Sequence, residues 1–175
     1  MAESPLPIIA FAGYSGSGKT TLLVELVAEL RHRGRMPALI KHAHCGFDMD
    51  RPGKDSHRLR EAGAGQVMVV SERRWALLVE NPTDGEIPLH ERAKAIDSAR
   101  AEFILAEGFR QAPVPKILVH RAGSGKPVPE WDDPELLAVV TDSPEVVPPG
   151  VMVFGLEESE RLADFLESYI ARTIV

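Results

Sequence analysis

The sequence predicts an α/β fold: a mostly parallel sheet with an antiparallel hairpin extension. Three observations carry this. A short apolar run at residues 6–12 passes through a glycine-rich turn into an amphipathic helix and then a second apolar run, Pro37–Lys41. Strand, helix, strand in that order implies a parallel pair joined by a right-handed crossover. Two further apolar runs, 66–71 and 75–80, are separated only by Glu72, Arg73 and Arg74, which is hairpin spacing.

The elements follow in order. Residues 6–12 read as a buried strand ending at a glycine. Residues 19–33 read as a helix, with Leu22, Leu23, Leu26, Val27 and Leu30 on one face and Gly34 as the stop. Pro37–Lys41 reads as the second strand, and 42–56 as a polar loop holding Gly46, Pro52 and Gly53. Residues 56–63 suit a short helix, with Asp55 or Ser56 as its cap. After the hairpin, 89–96 reads as helical, and 103–106, Lys116–His120 and 136–140 as strands. Residues 151–154 suit an edge strand. A last helix over about 157–172 carries Leu162, Phe165, Leu166, Tyr169 and Ile170 at helical spacing.

With 175 residues, the chain has the size of a single domain, with the hairpin at about 66–80 as an excursion from it. Apolar residues are 44% and charged residues 26%, which excludes a disordered chain. One cysteine, Cys45, excludes a disulfide scaffold and suits a reducing compartment. No apolar run approaches the ~18 residues of a membrane span. No Lys or Arg precedes the first apolar run, which argues against a secretory signal. A soluble, cytoplasmic protein is expected.

The net charge of −6 disfavours nucleic acid as a partner. Its distribution says more. Residues 31–60 hold eight Lys or Arg and three Asp, together with four of the six histidines. A basic island on an acidic chain suggests an anion site, or else a solvated polar loop.

Residues 13–20 read Gly13-Tyr14-Ser15-Gly16-Ser17-Gly18-Lys19-Thr20 and fit G-x-x-x-x-G-K-[ST] without a mismatch. The motif lies between a strand and a helix, the context that confirms a phosphate-binding P-loop. Its glycines let several N–H groups point into one concavity, where the helix N-terminus adds positive charge. Gly13, Ser15, Gly16, Ser17, Gly18 and Thr21 are therefore nucleotide-binding candidates. Lys19 suits the β- and γ-phosphates, and the Thr20 hydroxyl suits Mg²⁺. The fold class sharpens to a three-layer P-loop NTPase fold. The motif names neither the base nor the reaction.

A P-loop enzyme also needs an acid near its metal. Residues 103–108 offer an apolar strand ending in Glu107 and Gly108. Asp48 and Asp50 compete for that role, and Glu80 is a weaker candidate. Between them, Lys19, Glu107, Asp48 and Asp50 are the expected catalytic groups, with Thr20, Glu107 and Asp48 at the metal. His42, His44 and Cys45 could bind Zn²⁺ or Ni²⁺, although no second Cys or His cluster closes a site. Lys54 and nearby backbone amides suit a second phosphate-bearing molecule, with Arg58 and Arg60 following on the same short helix. Asp142, at the end of a late strand, suits guanine recognition; it suits equally a turn before Ser143-Pro144.

Taken together, the segments GYSGSGKTT (13–21), IKHAH (40–44), DMDRPGKDS (48–56), REAGAG (60–65), RWAL (74–77) and LAEGFR (105–110) resemble the molybdopterin-guanine dinucleotide biosynthesis adapter family, MobB. With KILVHRAG (116–123) and the 137–142 strand, the resemblance covers most of the chain. It implies a GTP-binding protein of the signal-recognition and MinD-like branch, with Mg²⁺ and slow GTP turnover. It implies a homodimer sharing an extended sheet. It also implies that the chain assists the guanylyltransferase that attaches GMP to the molybdopterin cofactor. Residues Gly13, Gly16, Ser17, Gly18, Lys19, Thr20 and Thr21 match the family's nucleotide loop. Asp48, Asp50, Lys54, Asp55, Ser56, Arg60 and Glu107 match other recurring positions, whereas residues 45–47 depart from the more polar residues often found there. On this reading the basic 41–60 segment lies beside the phosphates and faces the pterin or the transferase. Three alternatives stand beside it: a small-molecule kinase clamping phosphate with Arg51, Lys54, Arg58 and Arg60; a metallochaperone GTPase using His42, His44 and Cys45; and an adapter that binds nucleotide without turnover.

Overall fold

The computed structural model describes residues 6–43, 50–81, 88–129 and 132–173. The chain divides into two compact units, Met1–His42 with Pro88–Val175, and Ala43–Ile87.

The first unit opens with β1 (Ile8–Ala12), α1 (Lys19–His32) and β2 (Pro37–Lys41). The second unit contributes α2 (Asp55–Glu61), β3 (Gln66–Val70) and β4 (Trp75–Val79). The chain then returns to the first unit with α3 (Leu89–Ala93), β5 (Phe103–Glu107), β6 (Lys116–His120), β7 (Leu136–Thr141), β8 (Val153–Phe154) and α4 (Ser159–Thr173).

Six strands form one sheet in the order β2-β5-β1-β6-β7-β8, and every pairing is parallel. The C-terminal ends of all six therefore share one edge. In open parallel sheets ligands bind outside that edge, where the order switches. Here the switch lies at β1, whose neighbours β5 and β6 come later in the chain.

Alternation along the strands sorts the two faces. Ile9, Phe11, Phe103, Leu105, Ile117 and Val119 are buried with Leu22, Leu26 and Leu30 of α1 and Leu162, Leu166 and Ile170 of α4. Ala10 and Ala106 look to the other face, where Leu89 of α3 packs on them. This second covering layer is thin, a five-residue helix and connecting segments. Arg33 ties the two long helices by ion pairs to Glu29, Asp164 and Glu167, and Arg35 joins Glu167 to Glu102.

In the second unit β3 and β4 pair antiparallel, as the spacing implies. Among the described residues they form a two-stranded sheet of their own, added to the six parallel strands of the first unit. Capping differs from expectation. Lys54 holds the N-cap position of α2 without a side-chain cap bond, and the Ser56 hydroxyl donates instead to Asp50 Oδ1 at 2.9 Å.

Candidate functional site

The loop between β1 and α1 takes its shape from three glycines in the left-handed region: Gly13 (φ 150°), Gly16 (φ 83°) and Gly18 (φ 93°). Gly13 is sterically enforced as well. A Cβ there would lie 2.3 Å from the carbonyl oxygen of Val119 on the neighbouring strand. Ser17 is buried, and its N–H donates to Tyr14 O at 3.2 Å, closing the turn. Ser15, Gly16, Thr20 and Thr21 are exposed. The first turn of α1 carries no acidic residue of its own to offset the positive end of the helix.

Lys19 folds over this loop. Its ammonium donates to Gly13 O at 2.9 Å and Tyr14 O at 2.7 Å, with Ser17 Oγ at 3.5 Å. Burial pushes its pKa below the ordinary lysine value; Glu107 opposes this, and Lys41 adds to it. The charge is held in a partly desolvated concavity, where it acts more strongly on an anion than in water.

Glu107 ends β5, in parallel register between β1 and β2. Its carboxylate is nearly buried, 10% exposed, and accepts a hydrogen bond from the Thr20 hydroxyl at 2.8 Å. The acid and the hydroxyl chosen from sequence as metal ligands thus meet across 87 residues of chain. Both present oxygen to one point at the start of α1, a donor set that suits a hard divalent cation such as Mg²⁺. Lys41, the last residue of β2, places its ammonium 3.0 Å from each carboxylate oxygen and 3.4 Å from Thr20 Oγ1.

Gly108 and Phe109 turn the chain sharply away. Gly108 has φ 97°, and a Cβ on it would sit 3.0 Å from His42 Cβ; Phe109 follows at φ 53° with its ring centroid 5.0 Å from that of His42. The His42 N–H donates to Glu107 O at 2.9 Å. Two further cations stand by the loop. The exposed Arg121 guanidinium lies 3.6 Å from where a Cβ on Gly18 would be, and Arg110 lies 5.5 Å over the Tyr14 ring.

Asp142 follows β7 directly, at the same edge of the sheet. Its Oδ1 accepts the Ala122 N–H at 2.8 Å and so holds the turn that begins at Arg121. Thr141, Asp142, Pro144, Phe154 and Gly155 border an open cleft of about 520 Å³.

Among the described residues, Asp50, Lys54 and Arg60 lie in the second unit. Asp50 accepts from Arg51 N–H and the Ser56 hydroxyl, and lies 4.0 Å from Arg60. Arg60 pairs with Glu80 at 2.8 Å, and Lys54 donates its N–H to Arg51 O. These contacts give Asp50 a role in shaping its own loop. Asp48, His44 and Cys45 fall outside the described residues.

A family model described as molybdopterin guanine dinucleotide synthesis protein B, MobB, matches residues 8–142. The chain belongs to the MobB family. It is 41% identical over 171 residues to the molybdopterin-guanine dinucleotide biosynthesis adapter protein of Escherichia coli K12, covering 97% of each chain. The adapter protein of Haemophilus influenzae is 39% identical over 168 residues, 96% of this chain and 92% of its own. The crystal structure of Bacillus subtilis MobB has the same fold, with a TM-score of 0.70 at 23% identity over 94% of this chain and 98% of that one. The matched segment of this MobB-family chain spans the loop, Glu107 and Asp142 together.

Sequence reasoning missed Lys41, Arg110 and Arg121 as parts of this site. Lys41 entered only within the IKHAH segment and as the first charge of the basic 41–60 stretch, with no role of its own. Its place against Glu107 follows from β2 pairing with β5, a contact no local pattern announces. Among the described residues no group of three or more His, Cys, Asp or Glu could hold a metal ion, and no helix is long and apolar enough to cross a membrane.

Proposed function

We propose that this chain is an adapter in molybdopterin-guanine dinucleotide biosynthesis that binds Mg²⁺–GTP on its phosphate loop and assists a guanylyltransferase. The observation that carries the nucleotide reading is the 2.8 Å contact between Thr20 and Glu107 at the mouth of an unbroken P-loop motif. The relatives named as adapters supply the pathway.

In this reading the N–H groups at the start of α1 and the Lys19 ammonium bind phosphate oxygens, with Arg121 adding charge at Gly18. Thr20 and Glu107 would hold Mg²⁺, which neutralises charge on the phosphates. Glu107 already accepts from Thr20 and Lys41. The guanine would occupy the cleft beside Asp142, whose Oδ1 is committed to Ala122. The protein works in the cytoplasm as a homodimer. Cross-strand register puts Met68, Val70, Trp75, Leu77 and Val79 on one face of the hairpin, all at least 40% exposed, and a second copy would cover them.

The test is a thermal-shift titration with Mg²⁺–GTP and Mg²⁺–ATP side by side. GTP at 100 times its Kd should stabilise the chain by about 2.7 kcal/mol, with little from ATP. A preference for ATP would overturn the guanine reading and favour a kinase.

A further inference from the structure

Lys41 is the feature of the site that the P-loop motif does not explain. It stands in register opposite Glu107 on adjacent parallel strands. Its ammonium contacts both carboxylate oxygens at 3.0 Å and lies 3.4 Å from the Thr20 hydroxyl oxygen. Those are the oxygen donors that suit a divalent ion. A single positive charge therefore sits among the donors of the candidate metal site.

The two partners differ in freedom. The Glu107 side chain is 10% exposed and anchored by Thr20, whereas the Lys41 side chain is 54% exposed. A nearly buried carboxylate needs a counter-charge at all times. The Lys41 ammonium, on a flexible and half-exposed stem, can swing into solvent once another cation takes its place at Glu107. The backbone need not move, because the His42 N–H to Glu107 O bond holds the strand ends together independently of the side chains.

We propose that Lys41 is a tethered counter-ion that occupies the metal position while no nucleotide is bound and is expelled when Mg²⁺ arrives with the nucleotide. Lys41 already contacts both Glu107 oxygens, so a metal bound to them competes with the ammonium and is repelled by it. Two consequences follow. The nucleotide-free protein has little affinity for a divalent ion. Nucleotide binding depends less on Mg²⁺ than in a P-loop without such a lysine, because the ammonium keeps Glu107 neutralised when the metal is absent. The inference rests on the proposed Mg²⁺–GTP site and adds to it the control of metal entry.

The experiment compares wild type, Lys41→Gln and Lys41→Arg, with circular dichroism to confirm folding. Mn²⁺ binding to the nucleotide-free chains is read by EPR, and fluorescent GTP affinity is read with Mg²⁺ and with EDTA. Lys41→Gln should bind Mn²⁺ at least about tenfold more tightly than wild type, a difference of about 1.4 kcal/mol. Its ratio of GTP affinity with Mg²⁺ to that with EDTA should rise by a similar factor. Lys41→Arg should behave as wild type in both assays. Equal Mn²⁺ affinity in all three chains would overturn the proposal. So would an equal loss of GTP affinity with and without Mg²⁺ in Lys41→Gln, which would mark Lys41 as an ordinary phosphate ligand. If wild type binds no GTP, the nucleotide reading fails, yet the Mn²⁺ comparison still decides the role of Lys41. Should Lys41→Gln not fold, the Lys41 side-chain NMR resonance in wild type must shift when Mg²⁺ is added to the GTP complex; an unmoved resonance overturns the proposal.

Discussion

Replacing Gly13 by alanine isolates the contact that shapes the phosphate loop. The added Cβ would stand 2.3 Å from the Val119 carbonyl oxygen and 3.0 Å from Ser17 Oγ. Restoring even a 3.0 Å separation from that oxygen requires a shift of about 0.7 Å. Val119 is fully buried on β6, in register with Val140 of β7, so its carbonyl has little room to yield. Overpacking of this kind costs about 1–3 kcal/mol. The backbone at φ 150° adds about 1–3 kcal/mol for a residue with a Cβ. Together these predict a loss of about 2–6 kcal/mol. Gly16 is the internal control: it has φ 83° but no heavy atom within 4 Å of its would-be Cβ. Gly16→Ala should therefore cost only about 1–2 kcal/mol, from conformation alone. Urea denaturation separates the two. With a slope near 2 kcal/mol per molar, Gly13→Ala should lower the midpoint by roughly 1–3 M and Gly16→Ala by less than about 1 M. A Gly13→Ala chain within about 1 kcal/mol of wild type, or no less stable than Gly16→Ala, would refute the steric argument.

Other perturbations probe the site and its supports. Lys19→Ala should keep the wild-type circular dichroism spectrum and weaken GTP binding at least about 100-fold by titration calorimetry, since it removes the charge held over the loop. Asp142→Ala should destabilise by about 1 kcal/mol through the lost Ala122 N–H acceptor; an altered GTP-to-ATP affinity ratio in the same variant would show that Asp142 also reads the base. Lys116 is buried and pairs with Asp133 at 2.8 Å while donating to Arg110 O. Lys116→Met should cost about 2–4 kcal/mol in denaturant unfolding. Hydrogen bonds from Arg35 and Arg33 hold the Glu167 carboxyl below its ordinary pKa. Its stabilising contribution is therefore complete above the unfolded value near 4.3 and is lost as pH falls through the lower folded value. Glu167→Gln should flatten stability against pH below about pH 4.5 in a denaturation series, and an unchanged acid slope would exclude the carboxylate as its source.

What was legible in the sequence was local. The strand, loop and helix from β1 to α1 lie within one stretch of chain, and the glycines, lysine and threonine stand at the spacing that phosphate binding requires. Glu107 was legible because an apolar run ends in an acid followed by Gly108. The hairpin was legible from two apolar runs around a charged turn. Its separation from the main sheet was not, because alternation along a strand states which face is buried and not which edge it pairs with.

The remainder depended on neighbours far apart in the chain. Lys41 meets Glu107 across 66 residues because β2 lies beside β5. Asp142 reaches Ala122 across 20 residues because β6 and β7 are adjacent. Arg121 comes beside Gly18 because β6 flanks β1. By itself the sequence determined the glycine-rich loop, the acid that faces it and the parallel α/β class, since each is written in spacing and periodicity. Only the tertiary structure decided which cation faces that acid and which loop Asp142 holds, because strand order brings those side chains together and leaves no periodic trace in the chain.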